Sequence, residues 1–203
     1  EMKSKLMGFL SSKRYRHSIA VMEEAGRLAA NYQSDIQKAE IAGLLHDCAK
    51  YVEAREALAL LKKYGEEPDE IQKRSFQLLH GQLGYYIARE QYGVCDEEIL
   101  QAIYWHTTGK AGMTLLEKII FVADYIEPNR DFSGLDEAKE IAYRDLDRCV
   151  QLCADATIVH VLSKGWLLHP FTVETRNDMM LKRLNQTPHE ASLPERFENC
   201  TLR

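Results

Sequence analysis

The sequence predicts an all-α fold, and three observations carry that prediction. Glycine and proline are scarce, at 11 and 5 of 203 residues. Nearly every segment repeats its apolar residues with a helical period. No segment keeps up the two-residue alternation that a half-buried strand requires. We therefore expect a bundle of helices without a sheet.

The first five expected helices are bounded by cap and stop residues. They run from Ser11 or Ser12 to about Tyr32, from Asp35 to the pair His46-Asp47, over Ala54–Lys63, from Pro68, and over His80–Tyr92. Gly65 and Gly93 mark the ends of two of them.

The remaining helices follow the same logic. They are Glu97–Trp105 after Asp96, Leu115–Ile126 between Thr114 and Pro128, and one or two long helices over Asp136–Val150 and Cys149–Lys164. Residues 1–185 are expected to form one helical domain. Pro188, Pro194 and scattered polar residues predict a loose tail over 186–203.

Composition excludes several classes of function. The net charge of −5 argues against general affinity for nucleic acid, which usually needs a basic face. No apolar stretch approaches the roughly 20 residues that cross a membrane. The cysteines number five, and none of them forms a Cys-x-x-Cys pair. We interpret them as reduced thiols in a cytosolic, cytoplasmic protein.

The adjacent pair His46-Asp47 closes the apolar run Ile41–Leu45. Neighbouring residues on a helix point about 100° apart, so the pair is poorly placed to clamp one side of a single ion. It is better placed if the two oxygens of Asp47 reach two metals and His46 binds only one of them. The alternative is an aspartate that merely caps the helix end.

Three further histidines occur at helix ends or in apolar settings. His17 lies early in the first long helix, His80 follows two leucines, and His106 ends an aromatic run. Taken singly, His17 is explained as a surface residue, and His80 and His106 as core histidines with backbone partners.

Asp124 lies in the run Ile119–Ile126, which is apolar on almost every side. An ionised carboxylate buried there needs a cation. That cation is either a metal or a partner such as Arg130 or Lys118.

Taken together, six residues from different helices form a candidate metal site: His17, His46, Asp47, His80, His106 and Asp124. Four imidazoles and two carboxylates suit iron, manganese or zinc, and suit calcium badly. Two divalent ions would leave the site locally positive and attractive to phosphate.

These residues resemble the HD superfamily of metal-dependent phosphohydrolases, an all-helical family named for its His…His-Asp…Asp pattern. Five longer motifs surround them: Arg14-x-x-His17-Ser18, Ala42-Gly43-Leu44-Leu45-His46-Asp47-x-Ala49-Lys50, Leu79-His80-Gly81, His106-Thr107-Thr108-Gly109 and Ala123-Asp124-Tyr125-Ile126-Glu127-Pro128-x-Arg130. With these motifs the chain resembles the YqeK family within that superfamily, from about residue 10 to Asn177.

The resemblance implies a binuclear, iron-containing enzyme that cleaves diadenosine tetraphosphate symmetrically into two ADP, with manganese as the alternative metal. His17, His46 and Asp124 would hold one ion, His80 and His106 the other, and Asp47 would bridge them. A water shared by two divalent ions loses a proton near neutral pH and becomes the nucleophile.

The same comparison suggests the contacts to substrate. Lys50 would bring a cation to the phosphate oxygens, or else is a solvated lysine at a helix end. Arg130 would grip a phosphate, or pair with Asp131 or Glu127. The other expected contacts are a Thr107 hydroxyl on phosphate, a nucleoside-binding loop of His169, Pro170, Phe171 and Thr172, and the metal centre itself, which would take the β-phosphate of ADP.

Other functions are compatible with the same residues. A nucleotidase or phosphodiesterase of this superfamily would share the metals and differ in its pocket. A binding module would hold a nucleotide without cleaving it, and a purely structural protein would only pack its histidines. The partner is expected to be a small nucleotide, and a homodimer is expected from the family.

Overall fold

The computed structural model describes residues 1–131 and 134–186, and these form α-helices with no strand among them. The helices are α1 Met2–Phe9, α2 Ser12–Asn31, α3 Ile36–Leu45, α4 Ala54–Lys63, α5 Glu70–Arg74, α6 Leu79–Tyr92, α7 Glu97–Trp105, α8 Leu115–Ile126, α9 Leu135–Ala142, α10 Leu146–Ser163 and α11 Pro170–Gln186. The predicted all-α class is confirmed.

Cap residues set the helix starts largely as expected. The side chain of Ser11 accepts a hydrogen bond from the Arg14 amide at the start of α2. Thr114 forms a capping box with Glu117 at the start of α8. At the other end of a helix, Gly93 closes α6 with a φ of +70°, a conformation that favours glycine.

Four details differ from the sequence expectation. Helix α1 has no counterpart among the predicted elements. Asp69, not Pro68, caps α5 through a capping box with Gln72. The helical segment is interrupted after α9, because a new helix, α10, starts where the Asp145 side chain accepts a hydrogen bond from the Arg148 amide. Helix α10 therefore starts before Cys149.

The fourth difference concerns the segment after α10. The predicted loop at His169–Thr172 holds for His169 only, because Pro170 begins α11 with the backbone angle and missing N–H that suit a first helical position. Helix α11 reaches Gln186, one residue into the predicted tail. Residues 187–203 lie outside the described part of the chain.

Helix α8 lies at the centre of the fold and packs against α2, α3, α7, α9 and α10. Its apolar residues from Ile119 to Ala123, together with Ile126, are buried. Helix α3 also packs on α2 and on α7, so these four helices form one packed group. That packing brings together the residues that the sequence singles out.

No helix in the described residues is both long and apolar enough to cross a membrane.

Candidate metal centre

The two carboxylate oxygens of Asp47 face two different pairs of imidazoles. Oδ2 lies 3.7 Å from His17 Nε2 and 3.5 Å from His46 Nε2. Oδ1 lies 3.1 Å from His80 Nε2 and 3.7 Å from His106 Nε2. This is the geometry expected of a carboxylate shared by two ions.

Asp124 joins the first pair. Its Oδ1 lies 3.1 Å from His17 Nε2 and 3.8 Å from His46 Nε2. The possible ligand atoms form three overlapping groups, each with all its atoms within 4.8 Å: His17, His46 and Asp47; His46, His106 and Asp124; Asp47, His80 and His106. The structure thus brings together all six ligands suggested by the sequence.

The opposite ring nitrogen of each histidine is also engaged. Nδ1 donates to a backbone carbonyl three residues earlier in three cases: His46 to Gly43 at 2.7 Å, His80 to Gln77 at 2.5 Å and His106 to Ile103 at 2.7 Å. His17 Nδ1 lies 3.2 Å from Glu127 Oε1. With the proton on Nδ1, each Nε2 keeps a lone pair for a metal.

Helix ends explain why the sequence produces this arrangement. His46 and His106 are the residues that follow α3 and α7, where the last carbonyls of a helix have no amide partner within it. Each ring satisfies one of those carbonyls while its other nitrogen points away from the helix. His80 does the same from the start of α6, after the short 3₁₀ turn Phe76–Leu78.

Burial and charge tune the titration of these groups. Burial opposes ionisation of Asp47, yet the surrounding His46, His106 and His80 outweigh it and hold the pKa of that carboxyl well below its ordinary value. Burial and the nearby charge of Lys50 lower the pKa of His80 to about 4. An anionic Asp47 beside a neutral His80 is the protonation state that binds a cation.

The donor set fits divalent transition-metal ions. His46, Asp47, His80 and His106 are buried, so few waters compete with a bound ion. Imidazole nitrogens and carboxylate oxygens are the ligands that such ions prefer. Orientation by carbonyls and by Glu127 supplies the support that metal-binding histidines commonly have.

Two arginines pair with the same carboxylates. Arg14 Nη1 lies 2.7 Å from Asp47 Oδ2, and Arg130 Nη2 lies 2.8 Å from Asp124 Oδ1. Arg130 is one of the two partners expected for Asp124 in place of a metal, and of the partners expected for Arg130 itself Glu127 lies at 3.9 Å. Arg14 was not predicted as a site residue, although its position three before His17 puts both on one helix face.

Lys50 and Thr107 also border the cluster. Lys50 Nζ lies 4.0 Å from Asp47 Oδ1, and burial is the main reason that the pKa of this ammonium is lowered. Thr107 Oγ1 lies 3.2 Å from Nε2 of both His80 and His106. Both side chains are therefore placed to contact a group bound at the second pair of imidazoles.

A cavity of about 530 Å³ opens beside the cluster, between α8 and α10. It is lined by His106, Thr107, Phe121, Asp124, Tyr125, Arg130, Ala156, Thr157 and His160. We call it the aromatic cavity. His160 lines it together with the rings of Phe121 and Tyr125.

The segment His169–Thr172 does not line that cavity. His169 Nε2 lies 2.8 Å from Asp69 Oδ2, and the Phe171 ring packs edge-on against Trp105. His169 and Thr172 are buried. These contacts hold the segment against Asp69 and Trp105.

Glu127 is the other residue that sequence reasoning missed as a site residue. Its side chain is 3% exposed, lies against the His17 ring, and accepts hydrogen bonds from the amide and side chain of Asn129. In the sequence it stands out only as part of the motif from Ala123 to Arg130 and as a possible partner of Arg130.

We expect Glu127→Gln to weaken metal binding at the His17 side by about tenfold, because the ring loses a charged acceptor for its Nδ1 proton. Titration of metal against a competing chelator measures this. The matched control is Glu140→Gln, which removes an exposed pair with Arg144. Equal affinities in the two variants would contradict the orienting role.

The chain is similar in sequence to one protein-family model and to several known proteins. The HD domain model matches residues 14–129. The symmetrical bis(5'-nucleosyl)-tetraphosphatase of Halalkalibacterium halodurans is 42% identical over 174 residues, which is 86% of this chain and 92% of the relative. The protein of the same name from Bacillus subtilis is 40% identical over 168 residues, or 83% and 90%.

A solved structure shows the same fold. It is the crystal structure of a predicted HD superfamily hydrolase involved in NAD metabolism from Clostridium acetobutylicum. It superposes with a TM-score of 0.87 at 44% sequence identity, covering 89% of this chain and 96% of that one. This chain therefore belongs to the HD-domain family, in the group that contains the symmetrical bis(5'-nucleosyl)-tetraphosphatases.

Proposed function

We propose that this protein hydrolyses diadenosine tetraphosphate symmetrically, by adding water across the central P–O–P linkage to give two ADP. The carrying observation is the shared position of Asp47 between two pairs of imidazoles. The names of the two relatives described above support the choice of substrate.

We divide the proposed ligands between two metal ions according to their distances from the two oxygens of Asp47. His17, His46 and Asp124 would hold one ion, His80 and His106 the other, and Asp47 both. When bound, a pair of divalent ions supplies an activated water and polarises the phosphoryl oxygens. Each Nδ1 keeps its proton and donates it to a backbone carbonyl or, in His17, to Glu127, which holds the ring in the orientation needed.

Cationic side chains would bind the polyphosphate. Arg14 pairs with Asp47, and Arg130 pairs with Asp124. A bound metal ion would neutralise these carboxylates in place of the arginines. The guanidinium groups are then available to phosphate oxygens, which they bind in a bidentate manner. Lys50 and Thr107 would contact the phosphate near the second pair of imidazoles, stabilising the charge that develops in the transition state.

The aromatic cavity is the proposed place for the nucleoside of one half. Its volume of about 530 Å³ is within the range of small-ligand sites, and Phe121, Tyr125 and His160 give it the aromatic lining that suits a base. This replaces the sequence-based suggestion that His169–Thr172 hold the nucleoside.

We expect the purified protein, supplied with iron(II) or manganese(II), to convert diadenosine tetraphosphate into ADP alone. Chromatography of the products measures this, and a chelator should abolish the reaction. Equal amounts of AMP and ATP would contradict symmetric cleavage. A panel of mononucleotides and cyclic dinucleotides separates this activity from a nucleotidase or phosphodiesterase.

Four finer proposals accompany the function. Iron is the proposed metal, with manganese as the alternative, and elemental analysis after anaerobic purification decides between them. The working compartment is proposed to be the cytosol, with residues 1–185 as the catalytic domain. A homodimer is proposed, in which a second copy would cover exposed apolar residues such as Val159, Leu162 and Leu181. Light scattering measures the mass.

A further inference from the structure

A second cavity, of about 580 Å³, adjoins the metal centre on the side of α2. It is lined by Ser11, Lys13, Arg14, Arg16, His17, Glu127, Asn129, Arg130 and Asp131. We call it the basic cavity. It shares Arg130 with the aromatic cavity, and His17 connects it to the metal ligands. The two cavities therefore meet at the cluster.

The two cavities differ in charge. The basic cavity has four cationic side chains against two carboxylates, while the aromatic cavity has one arginine and one aspartate. Of the carboxylates in the basic cavity, Glu127 is buried and already accepts bonds from Asn129. The basic cavity is therefore suited to an anion.

Lys13 and Arg16 are the cations of this cavity that the metal centre does not use. Both are exposed, and neither side chain has a hydrogen bond or ion pair to another residue in the ranges 1–131 and 134–186. By contrast, Arg14 and Arg130 are paired with Asp47 and Asp124. These two unpaired cations precede His17 in α2 by four residues and by one residue.

We propose that the basic cavity binds the departing nucleoside diphosphate half, with Lys13 and Arg16 as binding residues for its two phosphates. This inference rests on the proposed function. A substrate with two equal halves would extend from the aromatic cavity across the cluster into the basic cavity. Two phosphates then lie on each side of the central bridging oxygen, which places that oxygen at the cluster.

The same cations favour departure of the second half. When water attacks the phosphorus of the first half, the bond from that phosphorus to the bridging oxygen breaks. The oxygen and its electron pair leave on the second ADP, which gains negative charge. Preorganised cations near that charge stabilise the transition state more than the substrate.

The test compares two double variants of the metal-loaded, full-length protein. Lys13→Gln with Arg16→Gln removes the unpaired cations. Arg55→Gln with Lys62→Gln is the control, since it removes one arginine and one lysine from the exposed face of α4, away from both cavities. We expect kcat/KM for diadenosine tetraphosphate to fall about 10- to 100-fold in the first variant only, as for lost charged hydrogen bonds.

A binding measurement gives an independent readout. Calorimetric titration with ADP should show two ADP per chain for the wild type and the control, and one for the Lys13→Gln, Arg16→Gln variant. Metal content should be equal in all three proteins. Lost metal in the test variant would assign its defect to His17 and contradict the proposal.

The outcomes separate this inference from the proposed function. A wild type that cleaves the substrate and a test variant that cleaves equally well, with two ADP bound, would overturn the subsite alone. A wild type that binds one ADP would also overturn it. A wild type that makes no ADP would overturn the proposed function, and loss of the second ADP in the test variant would still support the basic cavity as a binding site.

Discussion

Asp47→Asn is expected to lower hydrolysis of diadenosine tetraphosphate by at least about a thousandfold, comparable with the loss of a key electrostatic group in other enzymes. The amide keeps one oxygen for one pair of imidazoles. Its NH₂ group turns a donor towards the other pair and carries no charge. Bound metal should fall from two ions per chain to one or none, as elemental analysis would show.

The control for this substitution is Asp35→Asn. Asp35 is exposed and caps α3 by accepting from the Lys38 amide, a role that asparagine performs equally well. Both variants should keep the helical circular dichroism of the wild type. Full metal content together with near-normal activity in Asp47→Asn would show that Asp47 does not bridge.

Gly81→Ala is expected to damage the second half of the centre. A Cβ at Gly81 would lie 2.6 Å from the backbone oxygen of Tyr104, so α6 and α7 must move apart. That movement separates His80 from His106, whose Nε2 atoms are 2.9 Å apart. We expect metal affinity on that side to fall about 10- to 100-fold and the free energy of unfolding to fall by about 1–3 kcal/mol.

Gly8→Ala serves as its control, because a Cβ at this α1 position meets nothing within 4 Å. Its stability should stay the same or rise slightly, as for alanine in place of a helical glycine. Chemical denaturation and metal analysis on both proteins measure the difference. Unchanged metal binding in Gly81→Ala would show that the close approach of α6 to α7 is not needed.

Helix positions were largely predictable because caps and apolar periodicity are local signals. Ser11, Asp35, Asp96 and Thr114 all cap the helices expected of them. The start of α11 was missed because a Pro170 that begins a helix looks the same in sequence as a Pro170 in a loop. The position where α10 starts depends on which acidic residue caps it, and the sequence offers several acidic residues in this region besides Asp145.

The candidate ligands were found from sequence because each has an unusual setting, such as Asp124 inside an apolar helix. The residues around them were harder to find. Arg14 and Glu127 reach the cluster from helix ends far apart in sequence, so only the packing of α2 on α8 shows their contacts. The place of His160 in the aromatic cavity likewise depends on the packing of α10 on α8, which no local pattern shows.

Three of the imidazoles are aimed by a bond inside a stretch of only four residues. Their rotation is thus a local property, already fixed once each helix end has formed, while the gaps between rings belong to the tertiary fold. A loosened core would change the distances between the rings before it allowed any of these three rings to rotate. Changes in interhelical distance, more than changes in the ligands themselves, are then the natural route by which this scaffold could be adapted to an ion of another radius.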